Sequence, residues 1–311
     1  KRGLSTRSTN GIYSEDEVDR LRGCLLGLAV GDAVGTTVEF KPRGTFAPVE
    51  DMVGGGPFDL QPGQWTDDTS MALCLASSLI EKDEFHAEDQ MLRYVKWRDE
   101  GYLSSKGYCF DIGNTVRSAL NHYEKTGDPY AGSTDQYSAG NGSIMRLAPI
   151  PMFYYPHQDK ILHYAGESSR TTHGAHECLD ACRLMSSVIH NAVRGQDKQS
   201  LLIDHGIPLT AQKIISISQG GYLEKTEEQI RGSGYVVECL EAALWCFHKT
   251  TTFKESILAA ANLGDDADTT AAVCGQIAGA FYGESAIPKG WIERLYDYSK
   301  VSELADALIS N

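Results

Sequence analysis

The chain has 311 residues, of which 42 are acidic and 28 are basic, and its formal net charge at pH 7 is -14. This acidic balance argues against broad binding to nucleic acid or to anionic membranes, and no stretch approaches the ~20 consecutive apolar residues of a membrane span. The eight cysteines include no CxxC pair and show no regular spacing, so we expect reduced thiols in a cytoplasmic protein.

The first 13 residues have no apolar periodicity, although they carry the basic residues Lys1, Arg2 and Arg7. We therefore expect residues 1–13 to form a flexible N-terminal arm. Helical periodicity begins after the arm and covers most of the chain, interrupted by irregular segments at 41–64 and 130–143 that do not have the character of linkers between domains. This pattern predicts one domain over residues 14–311.

Ser14 and Glu17 stand at the spacing of a capping box, which predicts the start of a helix. Apolar residues then recur at helical spacing in eight segments: 17–35, 70–83, 88–101, 114–126, 177–193, 234–250, 252–263 and 269–283. The last of these is rich in Ala and Gly, which lets neighbouring backbones approach closely. Alternating strand patterns are scarce. The predicted fold is therefore all-α, a single compact domain of many helices around buried central ones.

Two short motifs place adjacent aspartates beside threonine ahead of an apolar helix: WTDDTSM at 65–71 and LGDDADTT at 263–270. Helix capping explains one such motif well, because Thr and Asp accept hydrogen bonds from the first helical turn. Two motifs, however, bring five carboxylates to two helix starts, and buried like charges repel unless a cation lies between them. Oxygen donors without His or Cys predict a hard cation such as Mg²⁺ or Mn²⁺, or less readily Ca²⁺.

Seven segments resemble the ADP-ribosylglycohydrolase family, in particular its arginine-directed branch of dinitrogenase reductase activating glycohydrolases. They are GDAVGTTVEF (31–40), GGGPFDLQPGQWTDDTSMA (54–72), FDIGNTVRSAL (110–120), SAGNGSIMRLAPI (138–150), SSRTTHG (168–174), SGYVVECLEAALWCF (233–247) and LGDDADTTAAVCGQIAGAFYG (263–283). The resemblance implies an all-α fold with a central two-metal site. It also implies a hydrolase that removes ADP-ribose from arginine on a protein.

Carried over position by position, the resemblance implies two Mg²⁺ or Mn²⁺ ions held by Thr66, Asp67, Asp68, Asp266, Asp268 and Thr269. Asp265 stands where the family commonly has Gly, so we expect it at most to cap the helix. The resemblance further implies catalytic carboxylates at Glu39, Asp67 and Asp111, with Asp111 as the general base. From the residues alone, the favoured interpretation of Glu39 is a solvated surface acid and that of Asp111 is a helix cap.

The resemblance also implies a set of ligand-binding residues: Gly31, Asp32, Asn114, Asn141, Gly142, Ser143, His173 and Tyr235. Without it, ordinary turn, loop and core roles account for most of them. Two alternatives stay open at this point. The same fold could act on serine-linked or free ADP-ribose, or the protein could bind ADP-ribose without turnover.

Relatives of this family occur as immunity proteins against ADP-ribosylating toxins. The resemblance therefore suggests that the N-terminal arm occupies the active site of such a toxin through Arg2 or Arg7. A disordered tail without a partner is the alternative for this segment. An ADP-ribosylated protein is the expected substrate in either case.

Overall fold

A computed structural model describes residues 12–203 and 206–310 of the chain. Over these residues it contains α-helices and short 3-10 helices, and the only β-type pairings are isolated bridges. The predicted all-α fold is confirmed. The helices are α1 (Glu15–Gly35), α2 (Asp67–Lys82), α3 (Ala87–Glu100), α4 (Asn114–Thr126), α5 (Pro149–Tyr154), α6 (Gln158–Thr172), α7 (His176–Val193), α8 (Lys198–Leu202), α9 (Gln212–Ser218), α10 (Val236–Lys249), α11 (Phe253–Ala261), α12 (Ala267–Tyr282), α13 (Lys289–Arg294) and α14 (Tyr298–Ile309).

Each of the eight periodic segments forms a helix, whereas six helices within the described residues are not among the predicted ones: α5, α6, α8, α9, α13 and α14. Of these six, α6 and α14 are the long ones, with 15 and 12 residues. The buried face of α6 consists largely of Ser and Thr beyond Ala165, so its hydrophobic period is faint. In α14 the signal is present, because Val301, Leu304 and Leu308 are buried at helical spacing. Periodicity alone is thus sufficient to predict α14 but gives little basis for α6.

The start of α1 has the predicted capping box. Ser14 Oγ accepts a hydrogen bond from the Glu17 amide, and the Glu17 carboxylate accepts one from the Ser14 amide, both at 3.1 Å. Tyr13 already belongs to the domain, since its hydroxyl donates to the Tyr155 carbonyl at 2.8 Å. The domain thus begins before the predicted end of the arm. Residues 1–11 of that arm lie outside the described residues.

Helices α1 and α12 pack against each other at the centre of the fold. Glycines recur at every fourth position of α1, and a Cβ atom added to Gly23 or Gly27 would lie 2.2 or 2.1 Å from the carbonyl oxygens of Gly279 and Gly275. Only glycine allows the two backbones to approach so closely. As the residue numbers rise along α1, their partners fall along α12, so the helices are antiparallel. The end of α1 therefore lies beside the start of α12.

Residues 15–38 are long and apolar enough to cross a membrane by length and composition alone. However, 89% of the apolar 18-residue window within this segment is buried inside the protein, because α1 is the core helix that packs on α12. Burial of this kind is typical of a central helix. Because α1 and α12 are antiparallel, the acidic motif at the start of α12 lies beside the last turn of α1.

Candidate metal centre and active site

Asp32 in the last turn of α1 organises the start of α2. Its carboxylate accepts hydrogen bonds from the amides of Thr66 and Thr69 at 3.0 and 3.2 Å and from their hydroxyls at 2.8 and 2.7 Å. Burial raises the pKa of Asp32 to about 6, although these hydrogen bonds act in the opposite direction. Asp32 therefore caps α2 from a neighbouring helix. It does not line the ligand cavity, in contrast to the role that the family resemblance implies.

Thr66 connects the beginnings of α2 and α12. It occupies the N-cap position of α2, but its side chain forms no capping hydrogen bond. Instead, its hydroxyl lies 2.8 Å from Asp32 Oδ1 and 3.0 Å from Asp268 Oδ2. The capping interpretation of this motif is thus wrong for the Thr66 side chain. The hydroxyl links carboxylates from the two ends of the chain.

Several carboxylate oxygens in this cluster are buried without a hydrogen-bond partner. Both oxygens of Asp68, Oδ1 of Asp268 and one oxygen of Glu39 are in this condition. Burial raises the pKa of Asp68 and Asp268 well above the usual range, and the neighbouring carboxylates raise it further. Asp67, at the first position of α2, shows the same effect for the same reasons. Unpaired buried carboxylates are costly, which calls for a compensating cation.

No side-chain cation supplies that compensation within the part of the chain that the structure describes. None of the ion pairs there involves a carboxylate of the cluster. In two sets of three residues, one carboxylate oxygen from each residue lies within 4.8 Å of the other two. The first set is Asp32, Asp68 and Asp268, and the second is Glu39, Asp111 and Asp268. The sets share Asp268. This all-oxygen donor set fits a hard divalent cation.

A cavity of about 360 Å³ opens above the cluster. Asp67, Asp268 and Thr269 contribute to its floor, while Glu39 and Asp111 enter from loops ahead of α2 and α4. Asp111 has a positive φ of 63°, a left-handed conformation that is uncommon for residues other than glycine and that Asp adopts more readily than most. Burial raises its pKa to about 7. Burial and the charge of Asp268 together raise the pKa of Glu39 far above its usual range.

The loop before α5 forms another wall of this cavity. Asn141 donates to Asp266 at 2.8 Å, and this hydrogen bond ties the loop to the start of α12. Gly142 lies against the ring of His173, where an added Cβ would be 2.5 Å from the ring carbon Cε1. Burial and the charge of Arg146 lower the pKa of His173 to about 3, so its imidazole is neutral at physiological pH. Asn141, Gly142 and His173 all line the cavity, as does Asn114.

Tyr235 borders an adjoining cavity of about 620 Å³ and does not line the cavity above the metal cluster. Its hydroxyl lies 2.7 and 2.8 Å from the two carboxylate oxygens of Glu177, to which it donates. The ammonium group of Lys213 lies 3.4 Å from the same hydroxyl. Thr115 and Gly140 line both cavities, which places the two side by side.

Besides Asp32 and Tyr235, two further residues expected to bind the ligand lie outside this cavity. Gly31 is buried against Ala271, whose carbonyl oxygen would be 2.2 Å from an added Cβ, so its role is helix packing. Ser143 is buried, and its hydroxyl accepts from Ser169 at 2.8 Å. Neither lines the cavity, because helix packing and core hydrogen bonds direct them inward.

Asp265 does not cap α12, so that expectation is wrong. Asp266 occupies the N-cap position, and no side-chain capping hydrogen bond is formed there. Asp265 instead has a φ of 55° and uses its backbone, donating to the Lys41 carbonyl at 2.8 Å and accepting from the Phe40 amide at 2.7 Å. These bonds hold the segment that carries Glu39.

The sequence analysis did not predict that Phe40, Ile112 and Met145 line the cavity. Phe40 directly follows Glu39 and Ile112 directly follows Asp111, and this adjacency was the signal that could have identified them.

Comparison with known proteins identifies the group to which this arrangement belongs. The family profile described as ADP-ribosylglycohydrolase matches residues 14–311. The chain belongs to the ADP-ribosylglycohydrolase family. Within that family it is 44% identical to the ADP-ribosylarginine hydrolase Tri1 of Serratia proteamaculans, over 96% of this chain and 81% of the relative. It is 34% identical to the ADP-ribosyl-[dinitrogen reductase] glycohydrolase of Rhodospirillum rubrum, over 89% and 90%.

Family membership extends to the three-dimensional fold. A solved structure titled "ADP-ribosylglycohydrolase-related protein complex" superposes with a TM-score of 0.84 at 44% sequence identity. The match covers 95% of this chain and 99% of that one. The acidic cluster at the meeting point of α1, α2 and α12 therefore lies in an ADP-ribosylglycohydrolase fold.

Proposed function

We propose that this protein is a metal-dependent hydrolase that removes ADP-ribose from arginine side chains of modified proteins. The observation that carries the proposal is the buried carboxylate cluster at the floor of an open cavity, with no side-chain counter-cation among the described residues. The similarity to the ADP-ribosylarginine hydrolase of Serratia proteamaculans supports the arginine linkage. An inactive ADP-ribose binder would have less need for so costly a cluster.

The proposed cofactor is a pair of Mg²⁺ or Mn²⁺ ions. The two carboxylate sets that share Asp268 support two ions, and the absence of His and Cys from both sets supports a hard metal. We assign Thr66, Asp67, Asp266 and Thr269 to complete the coordination. The Thr66 hydroxyl lies 3.0 Å from Asp268 Oδ2, and the other three residues line the cavity together with Asp268. When bound, such ions would orient the hydroxyls of a ribose and activate a water molecule.

The chain's own residues then divide the remaining work. Water attacks the anomeric carbon, the bond from that carbon to the guanidine nitrogen breaks, and a new carbon–oxygen bond forms. We assign Asp111 to accept the water's proton, which finally resides on the leaving guanidine. Glu39 faces the same cavity as the second carboxyl group available for this transfer. Asn141 and the neutral His173 form the wall against which the sugar is held.

The size and position of the two cavities suit a ligand with two parts. The ribose that bears the arginine would occupy the cavity of about 360 Å³ above the carboxylates. The rest of ADP-ribose would extend past Gly140 into the adjoining cavity bordered by Tyr235. Binding ADP-ribose would thereby fix the scissile bond over Asp111.

The proposal is tested by incubating the full chain with peptides that carry ADP-ribose on arginine, serine or cysteine. We expect release from arginine that requires Mg²⁺ or Mn²⁺ and stops with chelator. Asp111→Ala and Asp268→Ala should each abolish release, whereas Asp83→Asn should not. Asp83 is an exposed residue with positive φ at the other end of α2, a conformation that Asn also tolerates.

Faster release from serine would assign the enzyme to a different linkage. Binding of ADP-ribose without release from any peptide would contradict hydrolysis altogether. Either result can be obtained by chromatography of the released ADP-ribose together with calorimetry of its binding.

We further propose that the N-terminal arm engages an ADP-ribosylating toxin and that the protein is cytoplasmic. The basic residues Lys1, Arg2 and Arg7 on an acidic chain support the first idea, and eight free cysteines support the second. Because Tyr13 is anchored on the domain, the arm is best removed by deleting residues 1–11. Unchanged affinity for the toxin after this deletion would contradict the docking role.

A further inference from the structure

Four aromatic side chains form a continuous cluster beside the cavity, and one of them, Phe40, lines it. We call it the aromatic rim: Phe40, Phe58, Tyr108 and Phe110. The ring centroids of Phe40 and Phe58 are 6.4 Å apart, those of Phe58 and Phe110 5.1 Å, and those of Tyr108 and Phe110 6.1 Å. Phe40 is 64% exposed and Tyr108 54%. Exposed aromatic residues in contact with one another mark an interaction surface more often than chance exposure.

Phe40 is held in this exposed position at a conformational cost. Its φ is +68°, which is unfavourable for a bulky residue with a Cβ atom. The hydrogen bond from its amide to the Asp265 carbonyl at 2.7 Å stabilises this conformation. Burial of the ring cannot repay the strain, because most of the side chain is in solvent. Strain of this kind is typical of residues that contact a ligand.

The aromatic rim adjoins the residues assigned to the reaction. Phe40 directly follows Glu39 in the chain, and Phe110 directly precedes Asp111. Phe40 lines the cavity together with Asp111 and Ile112. A group that leaves the anomeric carbon toward solvent would therefore pass along the aromatic rim.

The charges around the aromatic rim favour a cation as its ligand. The ammonium group of Lys106 already lies 5.8 and 5.9 Å from the ring centroids of Tyr108 and Phe110. No cation contacts the ring of Phe40 among the described residues. The face of an aromatic ring attracts guanidinium groups in particular, and the acidic cluster adds a favourable field.

We propose that the aromatic rim binds the arginine side chain of the modified protein, with the guanidinium and its aliphatic stem against Phe40. This inference rests on the proposed arginine-directed hydrolysis and identifies the residue that recognises the leaving group. Phe40 is thus a specificity-determining residue. A serine-linked substrate offers neither a cation nor a long aliphatic stem, so it gains nothing from this contact.

The test compares Phe40→Leu, which keeps apolar bulk but removes the ring, with Phe40→Tyr, which keeps the ring. Leu92→Ala, an exposed apolar residue on α3 outside both cavities, serves as the control. For release from an ADP-ribosylarginine peptide, we expect Phe40→Leu to raise KM about three- to tenfold with kcat little changed. Leu92→Ala should behave as the wild type, and Phe40→Tyr should raise KM less than Phe40→Leu does, because it keeps the aromatic ring.

Calorimetry with free ADP-ribose and Mn²⁺ separates recognition of arginine from recognition of the nucleotide. We expect the Kd for ADP-ribose to be the same in Phe40→Leu and in the wild type. An unchanged KM in Phe40→Leu, or a parallel loss of ADP-ribose affinity, would overturn the inference while leaving the proposed hydrolysis intact. A wild-type protein that binds ADP-ribose but releases none from arginine would contradict the proposed function and the inference together.

Discussion

Asp68 illustrates how one side chain serves ligand binding at the expense of stability. It is fully buried at the start of α2, and neither carboxylate oxygen has a hydrogen-bond partner. Burial and the charge of Asp67 raise its pKa well above the usual range. A metal ion converts this unfavourable environment into a favourable one, because the cation compensates the carboxylates that otherwise repel each other.

At the residue scale we therefore predict that Asp68→Asn raises the stability of the metal-free protein but lowers the rate of hydrolysis with metal. The metal-free variant should be more stable than the wild type by about 1–2 kcal/mol, because the wild type must either bury the Asp68 charge or take up a proton there, and the substitution removes that cost at nearly constant volume. Hydrolysis should fall at least about 100-fold, because a metal ligand is lost. Urea unfolding with chelator and with Mn²⁺ measures the first effect, and Asp83→Asn is the control. Equal stabilisation of both variants by Mn²⁺ would contradict the ligand role.

At the scale of elements, the antiparallel contact between α1 and α12 determines where the site can form. Asp32 in the last turn of α1 lies near Asp268 in the first turn of α12 because glycines let the two backbones touch. Thr66 then connects both carboxylates through its hydroxyl. The geometry of the cluster therefore depends on residues that never contact a ligand.

This dependence predicts that Gly27→Ala lowers the free energy of unfolding, although Gly→Ala usually raises it within a helix. In the middle of an exposed helix, Ala is more favourable than Gly by roughly 1 kcal/mol. Here the added Cβ would lie 2.1 Å from the Gly275 carbonyl oxygen, so the helices must separate and we expect destabilisation by about 1–3 kcal/mol. Mn²⁺ affinity should weaken as well, because Asp32 and Asp268 move apart.

Gly290→Ala in α13 provides the matched control, since an added Cβ there meets only the end of the Arg294 side chain at 3.8 Å. That variant should be neutral or slightly more stable in urea unfolding. If Gly27→Ala proved as stable as Gly290→Ala, the close contact between α1 and α12 would be wrong.

At the scale of the whole molecule, the clustered carboxylates predict that the metal-free protein loses stability as pH rises. The pKa of Asp111 is raised to about 7, and those of Glu39, Asp67, Asp68 and Asp268 are raised well above their usual values. The folded protein thus binds more protons than the unfolded chain at neutral pH. Its stability must then fall with increasing pH, by about 1.4 kcal/mol per pH unit for each proton retained.

The measurement is best made between pH 6.5 and 8.5. Below this range the buried His173 and His190, whose pKa values are lowered to about 3 and about 4, contribute with the opposite sign. We expect the free energy of unfolding in chelator to decrease across the range and to become flatter in saturating Mn²⁺. A metal-free protein that has the same free energy of unfolding at pH 6.5 and at pH 8.5 would show that the carboxylates are not clustered in solution.

Much of this architecture is predictable because it depends on local patterns. Periodic apolar residues predict the main helices, and the capping box at Ser14 predicts the start of α1. The spacing of acidic and hydroxyl residues by itself indicates a hard-metal site. Family resemblance supplies Glu39, Asp111 and His173, which individually have ordinary explanations in the sequence. All three line the cavity.

Other assignments depend on contacts between distant parts of the chain. Asp32 proves to cap α2, Gly31 to pack on α12, and Tyr235 to border the adjoining cavity. Residue type and spacing determine which side chains could bind a metal or a sugar, because ligand chemistry is a property of the side chain. Only the tertiary structure decides which of them reach the cavity and which fill the core, because helix packing sets the direction in which each side chain points. The same packing brings the strained, exposed Phe40 to the edge of the reacting groups.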